Sequence, residues 1–167
     1  MKTEILFPEV ANLCGDLMNV TYLRQSCPDM EVVETGLKDR PAFLDGGVDL
    51  VYVGSATERG LRLMVQALTP YKAELERYVD GGGLMLATGN ALDALGEYVM
   101  IDGKRAFDGL GILHTHAEYH MMKRHNSFLL GSFQDMEIVG FKSLFGHTYP
   151  DEELTDALFR VERGVGR

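Results

Sequence analysis

Tryptophan is absent, and the 167 residues contain only two cysteines and five prolines. Cys14 and Cys27 have no CxxC partner and no ligand spacing around them, which argues against a disulfide framework or a zinc knuckle. Two free thiols suit a reducing, cytoplasmic setting. Basic residues are scarce: 16 Lys and Arg face 25 Asp and Glu, a net charge of -9. That field repels phosphate backbones, so nucleic acid is not an expected partner. Apolar runs are short of the roughly 20 residues that span a bilayer, and Lys2 is the only basic residue before Glu4, so neither a membrane span nor a signal peptide is expected. No internal repeat is visible. No phosphate-cradling glycine pattern follows a strand, because Gly81-Gly82-Gly83 precedes one.

What is present is an alternation of strand and helix patterns. Glu4–Phe7, Glu31–Glu34, Asp49–Val53 and Leu84–Ala87 read as strands. Asn12–Gln25 reads as a helix. Glu58–Val79 carries a helical stripe of Leu61, Met64, Val65, Leu68, Leu75 and Tyr78, kinked or restarted at Thr69-Pro70. Such alternation predicts an α/β fold, a parallel sheet with helices on both faces, whose ligand site lies at the carboxyl ends of the strands. Ile5, Val51 and Leu86 are expected on inner strands. After Gly96 the pattern changes to short strands, Tyr98–Ile101, Leu110–Leu113, His114–Met122, Ser127–Phe133 and Glu137–Phe141, joined by turns such as Asp102-Gly103. This second half is expected to be antiparallel and β-rich, with residues 1–167 forming one domain.

The chain is organised around Leu84–Ala87, Thr88-Gly89-Asn90 and the helical Ala91–Leu95 that stops at Gly96. A strand, tight turn and helix of this kind aims one side chain and the next backbone N–H groups at a common point. Hydrolases of α/β design keep a nucleophile and half an oxyanion hole there. Here the tip carries Thr88 or Gly89, and no cysteine.

Leu6–Asn19, with Asn12-Leu13-Cys14-Gly15-Asp16, resembles the opening of the cobyric-acid-synthase-type class I glutamine amidotransferases, the glutaminase subunits of lipid II isoglutaminyl synthases among them. Gly109-Leu110-Gly111-Ile112-Leu113, Ile138-Val139-Gly140-Phe141 and Gly146-His147-Thr148-Tyr149 resemble later landmarks of that family, in order. The resemblance implies an amidotransferase-like (flavodoxin-like) fold and no cofactor. It also implies a partner that is a Mur-ligase-like or other synthetase. Gly54-Ser55-Ala56-Thr57-Glu58 lies where the family has Gly-Gly-Gly-Gln-Asp, whose backbone supplies part of the oxyanion hole. The family's Cys-Gly-Gly-Tyr-Gln elbow places its cysteine on Gly89 or, aligned on strand ends, on Thr88. The family's catalytic histidine lies beyond the part that resembles Gly164–Arg167. The resemblance therefore implies a domain without cysteine-dependent glutaminase activity, with a polar pocket at Gly54, Ser55, Thr88, Gly89 and Asn90 for a carboxamide or an anion. The alternative is an active enzyme using Thr88 or Cys14 as nucleophile.

His114, His116, Glu118 and His120 alternate and would share one strand face, a metal-ladder pattern led by His114 and His116. Positions four apart on a strand are roughly 13 Å apart, too far for one metal, so only neighbouring pairs could share an ion. A solvated polar face is the expectation at these positions.

Overall fold

Strands and helices alternate through the first half of the chain. The structure, a computed structural model, describes residues 1–150 and 159–165 and divides into two compact units, Met1–Leu95 and Gly96–Arg167. In the first unit β1 (Lys2–Leu6), β2 (Glu31–Thr35), β3 (Leu50–Val53) and β4 (Leu84–Ala87) form one parallel sheet in the order β2-β1-β3-β4. Parallel neighbours need crossovers. These are α1 (Met18–Ser26), a 3-10 turn at Ala42–Asp45, and α2 (Glu58–Leu68) running through a second 3-10 turn into α3 (Lys72–Asp80). Thr57 caps α2 by accepting from the Gly60 N–H, and the restart falls at Thr69-Pro70, as the sequence suggested. The short helix α4 (Ala91–Leu95) follows β4.

Side chains alternate across each strand, so the sheet buries two sets. Ile5 and Tyr52 pack with Val20 and Met30 beneath α1, flanked by Leu17, Leu23 and Val32. Leu61, Met64, Val65 and Leu68 of α2 and Leu75 of α3 are buried in a stripe. Between Thr3 and Ile5, Glu4 is fully buried and points away from α1. Its carboxylate accepts from Thr35 Oγ1 at 2.5 Å and from the Ala42 and Phe43 N–H groups at 2.6 and 2.7 Å. Those amides open the 3-10 turn and have no partner within it, which is why a carboxylate is tolerated in the interior.

Several expectations are corrected. Leu84–Ala87 is a strand, but an edge strand of this sheet, and Leu84 and Leu86 are exposed where an inner, buried strand was expected. The chain that follows α4 does not extend the parallel sheet on the β4 side; it builds sheets of its own. The helix expected from Asn12 begins only at Met18, because Cys14 and Gly15 take positive φ values of 59° and 80° in a 3-10 turn at Leu13–Gly15. Leu110–Leu113 is not a strand, since Gly111 at φ 62° turns the backbone out of any ladder. The strand expected from His114 to Met122 shrinks to Thr115–Tyr119.

The second unit is β-rich as expected. β5 (Tyr98–Ile101), β6 (Lys104–Asp108), β7 (Thr115–Tyr119) and β10 (Gly146–Pro150) form a sheet in the order β10-β7-β5-β6, in which β5 and β7 run parallel and the other pairs antiparallel. β8 (His125–Phe133), β9 (Met136–Leu144) and β11 (Arg160–Arg163) form a second, antiparallel sheet in the order β11-β8-β9. Asp102 and Gly103 both have positive φ, the geometry of a two-residue hairpin turn. Among the described residues no helix is long and apolar enough to cross a membrane.

Removing the Glu4 carboxylate strands the buried Phe43 amide and the partly buried Ala42 amide and leaves a void. Glu4→Ala is expected to lower unfolding free energy by about 3–5 kcal/mol, read as a shift in the urea midpoint. A loss below about 1 kcal/mol would show that water replaces the carboxylate at no cost.

Candidate functional site

The parallel register carries Val53 and Ala87 to adjacent strand ends, so the loops Gly54-Ser55-Ala56 and Thr88-Gly89-Asn90 leave the sheet side by side. The Thr88 N–H still donates to Val53 O at 3.0 Å, and the two loops separate after it. Gly54 is required by a close approach, because a Cβ there would lie 2.2 Å from Ala11 O. Gly89 is the residue at the tip in the left-handed region, φ 55°. A Cβ on Gly89 would come 2.7 Å from the Ser55 Cβ.

Asp16, on the loop between the 3-10 turn and α1, ties these loops together. Its Oδ2 accepts from the Ser55 N–H at 2.6 Å and from Thr88 Oγ1 at 2.7 Å, and its Oδ1 accepts from Asn19 Nδ2 at 2.8 Å. The Tyr52 hydroxyl donates to the Asp16 carbonyl at 2.8 Å and stands 3.1 Å from Thr88 Oγ1. Asn90 makes a second clasp. Its Oδ1 accepts from the Ala56 N–H at 2.9 Å while its Nδ2 donates to Ala56 O at 2.8 Å. Partial burial alone would raise the Asp16 pKa. The Ser55 N–H, the Thr88 and Ser55 hydroxyls and the Asn19 amide outweigh it and hold the carboxyl below its ordinary value.

The five residues expected to form a pocket, Gly54, Ser55, Thr88, Gly89 and Asn90, are thus brought together. Three N–H groups of the two loops are taken by the chain itself: Ser55 by Asp16, Ala56 by Asn90, Thr88 by Val53. Cys14 is exposed and lies beside this assembly through its neighbour Leu13, whose N–H donates to Ser55 O at 2.9 Å and whose carbonyl accepts from Ser55 Oγ at 3.3 Å. Cys27 is exposed just past the end of α1. Reading for a nucleophile missed Asp16, Asn19 and Tyr52, although Asp16 and Asn19 stand inside the Asn12–Asn19 stretch that resembles the family opening.

The histidines belong to the second unit. His116 is sandwiched between Tyr98, at 5.0 Å and 9°, and Tyr149, at 5.5 Å and 20°. Its Nε2 lies 3.9 Å from Glu118 Oε1, and His114 Nδ1 lies 3.2 Å from Glu97 Oε1. The solvated face expected here is therefore corrected at His116, where flanking strands supply aromatic partners that local sequence cannot reveal. His120 falls past the end of β7, which removes it from the alternating face. Among the described residues no three His, Cys, Asp or Glu side chains are grouped so as to hold a metal ion.

The chain is 26% identical over 143 residues to the lipid II isoglutaminyl synthase (glutamine-hydrolyzing) subunit GatD of Staphylococcus aureus (strain N315). The match covers 84% of this chain and 58% of that relative, so the chain spans little more than half of the relative's length. A solved structure described as a glutamine amidotransferase superposes with a TM-score of 0.52 at 12% identity, over 85% of this chain and 70% of that one. No family model matches the sequence. Both likenesses run through most of the chain, and the glutamine amidotransferase-like fold therefore holds although β4 lies at a sheet edge.

A carboxyl group whose folded pKa lies below its unfolded value near 3.9 adds stability that is present above that value and is lost as pH falls through the folded pKa. Asp16→Asn should therefore be destabilised relative to the wild type at pH 7, with the gap closing as pH drops below about 4. Chemical denaturation of both proteins from pH 7 to pH 3 measures this, and a gap that widens on acidification would contradict the assignment.

Proposed function

We propose that this glutamine amidotransferase-like chain does not hydrolyse glutamine through a cysteine and serves as a binding or partner-regulating module, in the cytoplasm, beside a synthetase of the Mur-ligase-like or a related class. The observation that carries the reading is the clasp between Asn90 and Ala56. A glutaminase must offer backbone N–H groups to the substrate amide as charge builds on its oxygen. Here an internal carboxamide already occupies the Ala56 N–H, and a carboxylate occupies the Ser55 N–H. The likeness to GatD, which is itself a subunit of a synthase, supports the partner class.

Gly89 holds the position of the nucleophile in this reading. The strained residue of a strand-to-helix elbow is the one that presents the attacking atom, and the positive φ falls on Gly89, not on Thr88. Ser55, standing where the resembling enzymes have glycine, fills the volume that a Cβ on residue 89 would need. Thr88 is a weak alternative nucleophile. Its hydroxyl does face a carboxylate, but Asp16 is held in the ionised form by other donors and is correspondingly a feeble base. Cys14 is exposed, and no histidine precedes residue 114. Exposed thiols at Cys14 and Cys27 support a reducing setting.

Ammonia release from glutamine by the wild type is expected to stay at background, with or without a synthetase partner. Gly89→Cys alone should also fail, since its Cβ meets Ser55. Adding Ser55→Gly and Asn90→Gly should make the new thiol readily alkylated without conferring turnover, because a thiolate needs a base as part of one catalytic unit. Wild-type turnover abolished by iodoacetamide would overturn the proposal and point to Cys14 or Cys27.

A further inference from the structure

The β8–β9 hairpin exposes an apolar face that the amidotransferase reading does not use. Phe128, Val139 and Phe141 are 77%, 76% and 61% exposed. The antiparallel register places Phe128 opposite Phe141 and Leu130 opposite Val139, so these four side chains form two adjacent rows on one face. The phenylalanine rings are 5.5 Å apart. Polar rows close the face at both ends. Asn126 lies opposite Ser143 and bonds to it, and Ser132 lies opposite Glu137. The third strand adds arginines on the side away from β9: Arg160 is in register with Ser132, and Arg163 with Leu130. An apolar centre within a polar and charged rim is the anatomy of a protein interface, and monomeric proteins seldom leave such a patch to water.

We propose that this face binds the same face of a second copy of the chain, about a two-fold axis parallel to the strands. Charge selects both the occupant and the axis. One row runs Arg160, Ser132, Glu137 across the sheet, positive at the β11 side and negative at the β9 side. Rotation about an axis along the strands exchanges the two sides without exchanging the ends. It sets Arg160 of each copy over Glu137 of the other and apolar rows over apolar rows. An axis across the strands would instead bring the two β11 edges together, with their arginines on one side and Glu137 of each copy away from them. Sheets facing one another pack with strands about 30° apart, which keeps these rows within reach. Three strands of this length cover roughly 400 Å2, against about 800 Å2 per partner in a standard interface. The dimer is therefore weak and concentration-dependent.

Sedimentation equilibrium of the full chain over a wide concentration range tests it. The wild type should rise toward twice the monomer mass, and Phe141→Ser should weaken association about tenfold or more. Arg160→Glu and Glu137→Arg should each weaken it, and the double variant should recover most of the loss, because each residue faces the other across the axis. Circular dichroism confirms that each variant remains folded. A wild type that stays monomeric at the highest concentration overturns the proposal. So does a dimer indifferent to Phe141→Ser, or a charge-swapped double variant no better than its parents.

Discussion

A single carboxylate, that of Asp16, fixes how the two loops above the sheet meet. The ends of parallel strands leave N–H groups and hydroxyls with no ladder partner, and burying them unpaired costs on the order of 1–3 kcal/mol each. Asp16 answers two of them at once, the Ser55 amide and the Thr88 hydroxyl, while its carbonyl takes the Tyr52 hydroxyl that rises between them. With that point fixed, β3, β4 and the start of α1 cannot move independently at this end. The Asn90 clasp on Ala56 closes the remaining gap. Side chains of the loops and of the α1 approach thus tie the two loops to each other.

Much of this was legible in the sequence. The strands β1 to β4, the stripe through Leu61 and Leu68 and the restart at Pro70 follow from periodicities of two and 3.6 and from proline chemistry, all of which act over a few residues. The meeting of Ser55 with Gly89 was likewise readable, because strand ends in a parallel sheet fall on one rim. Distant relations were not. That Leu84 and Leu86 face water depends on which strand lies beside β4, and four apolar residues in a row read the same on either side of a sheet's edge. The aromatic sandwich around His116 draws on Tyr98 and Tyr149, one before it and one well after, joined only by strand pairing. Asn12–Gln25 reads as one helical stretch, and only the backbone, left-handed at Cys14, sets Leu13–Gly15 apart as a separate turn.

Ser55 and Gly89 crowd one volume between them, and that bears on what the proposed absence of a nucleophile at the loop tip would mean. Had a cysteine been replaced by glycine in an otherwise open site, restoring one side chain would restore the thiol. The Ser55 Cβ lies 2.7 Å from where the Cβ of residue 89 would go, so a thiol fits there only if Ser55 yields. Ser55 in turn holds the loop from both sides, donating its N–H to Asp16 and its hydroxyl to Leu13. Neither position can be changed by itself without a clash or a cavity. The close approach of Ser55 and Gly89 is therefore built into the packing of two loops, and a side chain that serves packing persists for as long as the domain must fold.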